Sequence, residues 1–467
     1  MFLHRHFVPG LAAASFIVGD ERAKVAAVID PLRDVEEYVR VAAEQKLSIT
    51  HILETHVHAD FISGARELKA ALGGAPKIVS SAMGGPEWTP AYADIRAAEG
   101  EEIALGSLKL KAIYTPGHTP EHVTWALYDT TRSSDEPWML FTGDFLFVGS
   151  IGRPDLLGKE EQQKLAHQLY DSVFGRASKI PDFAEVYPSH GAGSLCGKAI
   201  GSRDSSTLGY ERRFNESLQH KPEPQWVQSI MKDMPAAPPY FRRLKKINVL
   251  GPAILGGREN WPGRKSLSAK QVRELSRAGE ALVLDIRPKE AFAAAHVPGS
   301  INIPLDNNLP TWAGWVLPYE KRLVIIAEND RDVDAAVIHL LRVGFDEIVG
   351  YLEGGMAAWE QAGLPTDSFE MIDAPTLAER LRGDTRPLVL DVRSDSEWDA
   401  GHIEGARHVH AGMIEQHLDE IPRDRPVAVI CGSGFRASIA ASLLKRHGLK
   451  DVSNVAGGMT AWTAANR

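Results

Sequence analysis

Two stretches of this chain repeat one another about a hundred residues apart, and that repeat constrains the fold more than any other feature. ALVLDIRPKEAFAAAHVPGSINIP (Ala281–Pro304) answers PLVLDVRSDSEWDAGHIEGARHVH (Pro387–His410). Downstream, VGYLEGGMAAWEQAG answers VSNVAGGMTAWTAAN, with tryptophans at Trp359 and Trp462. Solenoid repeats are shorter and more numerous, so two copies of this length predict two compact units. Each copy runs strand, helix, strand, helix, which predicts a parallel sheet with helices on both faces.

The chain of 467 residues is too long for one core. Residues 222 to 257 break the periodic pattern with PEPQ, MPAAPPY, FRRLKK and GPAILGG, the composition of a boundary. Three domains are expected, at about 1–257, 262–366 and 371–467. A hydrophobic fraction of 44% with 24% charged residues is that of a soluble globular protein. The net charge of −9 argues against nucleic acid or an anionic membrane as the main partner. Cys196 and Cys431, the two cysteines, cannot form a disulfide framework, which points to a reducing, cytoplasmic setting. The opening MFLHRHFVPGLAAASFIVGDERAKVAAVIDP reads as two strands of a hairpin rather than a signal peptide.

The first domain carries a histidine and carboxylate constellation. THVHAD places His56, His58 and Asp60 just beyond a predicted strand. TPGHT follows with His118, FTGDF with Asp144 and YPSH with His190. Each fragment comes after an apolar strand run, so all can converge at one sheet edge on loops held by a rigid scaffold. Imidazole and carboxylate are ligands expected for zinc, iron or manganese.

These fragments, in this order, resemble the metallo-β-lactamase superfamily, which implies a four-layered αββα sandwich. Superfamily members acting on glutathione thioesters carry two metals and a histidine directly after the aspartate of HxHxDH; here that position is Phe61. GDFLFVGSIGRPDL and CGKAIGSRDSSTLGYE resemble persulfide dioxygenases, particularly those fused to rhodanese domains. The resemblance implies a single Fe(II) per chain on His56, His118 and Asp144, with zinc able to occupy the same site on purification. His58, Asp60, Phe61 and His190 then surround the metal, orienting ligands or binding water. A two-histidine, one-carboxylate face leaves open positions on iron for a persulfide and dioxygen together. The expected reaction converts RSSH, O2 and water to RSH and sulfite. Arg153 is the foremost expected contact for an anionic substrate, with Tyr210 and Lys198 behind it. Cys196 reads as a buried small residue.

In the last domain VAVICGSGFRAS predicts a strand, a tight loop, and a helix starting near Ala437. A cysteine opening such a loop faces backbone N–H groups and a helix N-terminus, which stabilise a thiolate or a bound persulfide. Cys431 is the expected nucleophile and Arg436 the fixed charge beside it. With DVR (Asp391, Arg393), GHIEGA (His402) and GGMTAW, the domain resembles the rhodanese family, which implies sulfur transfer from thiosulfate or a persulfide to a thiol. Asp391 and Arg393 read as a structural pair. In the first copy Ala327 stands where Cys431 stands, followed by Glu328, Asp330 and Asp332, so no sulfur relay is expected there.

The fold class expected is therefore α/β multidomain, an αββα sandwich followed by two rhodanese-like domains with parallel sheets. The assembly expected is a homo-oligomer, dimer or tetramer, that engages a small thiol persulfide, O2 and thiosulfate or sulfite, with no nucleic acid or membrane partner. The alternative enzyme is a binuclear zinc thioester hydrolase of the glyoxalase II kind fused to a sulfurtransferase. A third reading is a non-catalytic sulfur carrier or sensor.

Overall fold

The computed structural model describes residues 1–232 and 234–466. The chain divides into two compact units, Met1–Asn260 with Leu341–Gly344, and the remainder from Trp261 on. Among the described residues no helix is long and apolar enough to cross a membrane.

In the first unit β1 (Phe2–Val8), β2 (Ala13–Asp20), β3 (Val25–Ile29), β4 (Ser48–Leu53), β5 (Lys77–Ser81) and β6 (Ile95–Ala97) form a sheet in sequence order. The pairs β1–β2 and β2–β3 are antiparallel, and the pairs from β3 to β6 are parallel. The opening segment thus holds three strands where its pattern suggests a two-stranded hairpin. The extra reversal spans Pro9–Ala12, opened by the Pro9-Gly10 dipeptide and closed by Ala12 at a φ of 49°.

The second sheet comprises β7 (Glu102–Leu105), β8 (Leu108–Tyr114), β9 (Val123–Asp129) and β10 (Met139–Gly143), followed in the chain by a small hairpin, β11 (Leu146–Phe147) and β12 (Ser150–Ile151). It is completed by β13 (Glu185–Pro188) and β14 (Ser206–Thr207), in the order β14-β13-β10-β9-β8-β7. Strand alternation sends Phe16, Val18, Ile29 and Leu53 from one sheet and Leu110, Ala112, Trp125 and Phe141 from the other into a shared core. The outer face of the first sheet, with Ile17, Val28 and Ile52, packs on helix Glu36–Glu44 through Tyr38 and Val41. That of the second, with Ala126, Leu140 and Val186, packs on helix Lys159–Tyr170 through Ala166 and Leu169. Four layers result, αββα.

The proline- and glycine-rich stretch after Pro222 is not a structureless boundary. It contains helices Glu223–Met231 and Phe241–Leu250. Pro224 sits in the first turn of the earlier helix, where its missing N–H costs nothing, and Trp226, Val227 and Ile230 enter the core beneath the second sheet.

The second unit repeats one topology twice. β15 (Ser266–Leu267), β16 (Ala281–Asp285), β17 (Ile301–Asn302), β18 (Arg322–Ile326) and β19 (Ile348–Leu352) lie in the order β15-β19-β18-β16-β17. β20 (Glu370–Ile372), β21 (Leu388–Asp391), β22 (Arg407–His408), β23 (Val427–Ile430) and β24 (Val452–Val455) lie in the matching order β20-β24-β23-β21-β22. All pairs in both sheets are parallel. The loops beyond β18 and β23 therefore hold equivalent places at the carboxyl ends of their sheets, where open α/β sheets build sites.

Candidate metal centre and sulfur-transfer loop

The metal-binding loops of the first unit are tied to one another by buried polar groups. Asp30, just past β3, accepts from Thr55 N and Thr55 Oγ1 at 2.7 Å each and from Ser189 Oγ at 2.6 Å. One carboxylate thereby fixes the loops that carry His56 and His190. Gly143, at φ 52°, closes β10; a Cβ there would lie 2.5 Å from His122 Nε2 and 2.6 Å from Thr55 Oγ1. Only glycine lets Asp144 enter beside the histidines.

The side chains of His56, His118 and Asp144 then converge, with their ligand atoms all within 4.8 Å of one another. Asp144 Oδ2 is 3.7 Å from His56 Nε2 and 3.4 Å from His118 Nε2. The opposite atom of each group is already engaged. His118 Nδ1 donates to Arg153 O at 3.0 Å, His56 Nδ1 lies 2.9 Å from Thr55 Oγ1, and Asp144 Oδ1 pairs with His190 Nδ1 at 2.7 Å. Thr55 Oγ1 gives its proton to Asp30, so it accepts from His56, and both Nε2 atoms are left with free lone pairs. His56 Nε2 and Asp144 Oδ2 are buried without a hydrogen-bond partner. Burial pushes His56 and His118 down, to the neutral form a metal requires. Burial alone would raise Asp144, but the charged His190 beside it holds it well below the usual carboxylate range. Two neutral imidazoles and one carboxylate with unsatisfied donor atoms fit a divalent metal.

Two further buried groups flank this one. His58 turns away from it and lies 3.2 Å from Asp30 Oδ1 and 3.3 Å from Glu54 Oε2. Burial opposes its charge, yet those two carboxylates hold it well above the usual histidine value. Phe61 stacks on His58 with ring centroids 4.2 Å apart and meets His190 edge-on at 6.4 Å. His190 bridges carboxylates on both nitrogens, with Nε2 2.8 Å from Asp60 Oδ2. Although burial works against it, Asp144 and Asp60 push it up to about 10. Cys196 joins Asp60 and His190 in a second group of potential ligands. Burial and the nearby Asp60 and Asp144 push its thiol well up.

Sequence spacing does not reveal several of these partners. Asp30 and Cys196 stand alone in the chain, and their roles arise only when distant loops meet, whereas Glu54 lies four residues before its partner His58. His122 was within reach of inspection, four residues after His118: its Nε2 accepts from Asp144 N at 3.0 Å and its ring stacks on His56 at 5.0 Å. Burial depresses it to about 3.

Of the residues expected to hold substrate, Arg153 and Lys198 are bonded to the protein and Tyr210 is exposed. The Arg153 guanidinium is buried, pairs with Asp155 through Nε and Nη2 at 2.7 Å, and donates to the carbonyls of Leu195 and Pro235. With its donors spent on the protein, it organises the loop that supports His118. Lys198 Nζ donates to Lys232 O, and Tyr210 is 48% exposed, its ring tilted against Phe214.

In the last domain Cys431 follows β23 and is buried, and Gly434 N donates to its Sγ at 3.1 Å. The helix opens at Phe435, two residues before the expected start, from a left-handed Gly434. Arg436 is not a free charge: its two terminal nitrogens fork onto Glu397 at 2.6 and 2.7 Å. That fork holds the Glu397 carboxyl at about 2. Anion stabilisation at the thiol falls to backbone N–H groups and the helix N-terminus together with Arg436, whose charge also faces Cys431. Arg393 pairs with buried Asp391 and donates to Gly401 O, and Arg287 repeats this with Asp285 and Ala295 O. Both pairs pin loops. In the first copy the cysteine position holds buried Ala327.

Comparison with known proteins agrees with both halves of this geometry. The Metallo-beta-lactamase superfamily pattern matches residues 8–194, and the Rhodanese-like domain pattern matches residues 268–362 and 373–465. Persulfide dioxygenase ETHE1 of Mus musculus is 32% identical over 219 residues, which cover 47% of this chain and 76% of the mouse protein. The chain belongs to the persulfide dioxygenase family. To that family's metallo-β-lactamase domain it adds two rhodanese-like domains. A crystal structure of a metallo-beta-lactamase from Staphylococcus aureus is 34% identical, with a TM-score of 0.66 over 75% of this chain and 98% of that one. Hydroxyacylglutathione hydrolase of Francisella tularensis is 33% identical over 165 residues, 35% of this chain and 58% of that enzyme.

Proposed function

We propose that this chain is a sulfur-metabolism enzyme with two activities, distributed over domains at about 1–257, 262–366 and 371–467. The first oxidises the terminal sulfur of a low-molecular-weight persulfide: RSSH + O2 + H2O → RSH + HSO3⁻ + H⁺. The observation that carries this reading is the convergence of His56 Nε2, His118 Nε2 and Asp144 Oδ2 with no hydrogen-bond partner for His56 Nε2 or Asp144 Oδ2. These residues would hold one Fe(II), which supplies electrons for dioxygen activation, a chemistry zinc lacks. His118 is oriented by Arg153 O and His56 by Thr55. Phe61 walls the site with an apolar ring, and His190 keeps a proton between Asp60 and Asp144.

The second activity is sulfur transfer at Cys431. Its thiolate attacks the sulfane sulfur of thiosulfate, the S–S bond breaks and sulfite leaves. An acceptor thiolate then takes the sulfane sulfur, forming RSS⁻ and restoring the Cys431 thiolate. The middle domain has no thiol for such a step.

A thioester hydrolase is the second reading, favoured by the similarity to hydroxyacylglutathione hydrolase and by the group Asp60, His190 and Cys196. Against it stand Phe61, which donates no lone pair, and His190, both of whose nitrogens already serve carboxylates. Oxygen uptake on glutathione persulfide with stoichiometric sulfite supports the first reading. Hydrolysis of lactoylglutathione without oxygen uptake replaces it with the second.

A further inference from the structure

The first copy of the repeat has no cysteine at the loop position, yet it bonds to the helix that faces Cys431 in the second. β17 lies at the edge of the first copy's sheet, and an edge strand leaves backbone groups unpaired. Helix Phe435–Arg446 of the second copy covers that edge. Asn302 N donates to Ser442 Oγ at 3.1 Å, and Ser438 Oγ donates to Asn302 Oδ1 at 2.7 Å. The two serines stand four residues apart, on one face of the helix. The Asn302 amide is fixed from its own side as well, since Nδ2 donates to the carbonyls of Asp285 and Arg287 at 2.9 and 3.0 Å. Asn302, Ser438 and Ser442 are fully buried.

This network ends at the sulfur. Ser438 lies in the first turn of its helix, and its backbone N–H donates to Gly434 O at 3.1 Å. Gly434 N is the donor to Cys431 Sγ. Gly434 also lies against the first copy: a Cβ on it would meet Lys289 Cε at 3.4 Å. A second contact holds the loop after β22. There the His410 ring lies 4.9 Å from Trp315 and 5.8 Å from Trp312, both on helix Leu309–Val316. A Cβ on Gly412 would fall 2.3 Å from Trp315 Cε3. Apolar packing alone lets a helix slide on its support, whereas directional bonds between buried partners give it one position.

We propose that Asn302, in the copy without a loop cysteine, is a positioning residue for sulfur transfer at Cys431: through Ser438 it sets where the first turn of helix Phe435–Arg446 lies against the sulfur. The first copy is then a seat for the active-site helix rather than a station in a sulfur relay. The proposal rests on the sulfur-transfer reading of Cys431.

The test uses the full-length chain with Asn302→Ala and Ser438→Ala, which break the same bond from its two sides. Should Asn302→Ala unfold the unit, Ser438→Ala, which removes only a hydroxyl, carries the test. In thiosulfate sulfurtransfer kcat should fall about 10-fold with KM for thiosulfate nearly unchanged, half-way on a logarithmic scale to the loss from a 1 Å misplacement. Alkylation of Cys431 by iodoacetamide at pH 7, followed by peptide mass spectrometry, should slow about 3-fold or more as the thiolate loses N–H and helix-terminus stabilisation. The double variant should lose little beyond either single one, because the two share one bond. Arg446→Gln is the control: it cuts a bond to the first copy, Arg446 Nη1 to Gly299 O at 2.7 Å, at the far end of the same helix, and should transfer sulfur like wild type. Variants that melt lower but transfer sulfur and alkylate like wild type overturn the positioning role and leave the sulfur-transfer reading standing. A loss in Arg446→Gln equal to that in Asn302→Ala overturns it too, since any loosening of the contact would then suffice. Full transfer by Cys431→Ser removes the reading itself, whatever Asn302 does.

Discussion

The sharpest consequence of the rhodanese geometry concerns Gly458, in the GGM sequence that closes each repeat. Its φ is +55°, and a Cβ there would lie 2.1 Å from Cys431 O and 2.7 Å from Gly432 C. Both are backbone atoms of the sulfur-transfer loop, and Met459 N and Thr460 N already donate to the carbonyls of Cys431 and Gly432. No rotamer relieves this contact; the loop itself must shift by about 1 Å. Gly458→Ala should cost about 1–2 kcal/mol for the left-handed backbone and about 1–3 kcal/mol for overpacking. A misplacement near 1 Å should lower sulfur transfer from thiosulfate roughly 100-fold, with oxygen uptake on preformed persulfide retained. Gly448→Ala is the control. It carries a φ of +86° but its Cβ would meet nothing closer than Arg423 Nη1 at 3.7 Å, so only the backbone cost remains. The assay is thiosulfate sulfurtransfer with thermal melting of both variants. If Gly458→Ala transfers sulfur at the wild-type rate and melts no lower than Gly448→Ala, the claim that this glycine seats the Cys431 loop is wrong.

Three further outcomes are expected. Cys431→Ser should abolish transfer from thiosulfate and leave oxygen uptake largely intact; full transfer by the variant would assign the nucleophile to another group. His118→Ala or Asp144→Ala should remove metal and oxygen uptake together, whereas His58→Ala, which takes away a side chain ion-paired with Asp30 and Glu54, should cost about 10–100-fold; metal analysis showing His58→Ala as empty as His118→Ala would make His58 a ligand. The Glu397 carboxyl is held at about 2 by Arg436, so its contribution to stability is complete above the ordinary glutamate value of about 4.3 and fades as pH falls toward 2. Glu397→Gln should flatten that part of the acid melting profile, and an unchanged profile would deny the pair a stabilising role.

The repeat was legible because it lies in contiguous motifs, and both sheets follow from it in the same strand order. His56, His118 and Asp144 were legible because each follows a strand, and strand ends are where a sandwich brings loops together. Partners drawn from across the fold were not. Asp30 reaches Ser189 across 159 residues, and Asn248 reaches His58 across 190. The surroundings of Arg153 were hidden for a related reason: nothing in spacing shows that Asp155 and two carbonyls bond to it. Helix Phe241–Leu250 was hidden by its proline-rich approach, so the hydrogen bonds that Asn248 makes from it to the metal loop could not be read. The pairing of Lys245 with Trp88, far apart in the chain, likewise exists only in the folded state.

Metal stoichiometry tests the central claim most directly. Among the described residues three groups of potential ligands lie close together: His56, His118 and Asp144; Asp60, His190 and Cys196, where Phe61 stands in place of a further ligand and His190 is already bonded on both nitrogens; and Asp30, Glu54 and His58, where the two carboxylates flank the imidazole. Elemental analysis after anaerobic purification, paired with oxygen uptake on glutathione persulfide, should give one iron per chain and activity in proportion to it. Two tightly bound zinc ions per chain, accompanied by thioester hydrolysis, would contradict the account and place the chemistry with the hydrolases.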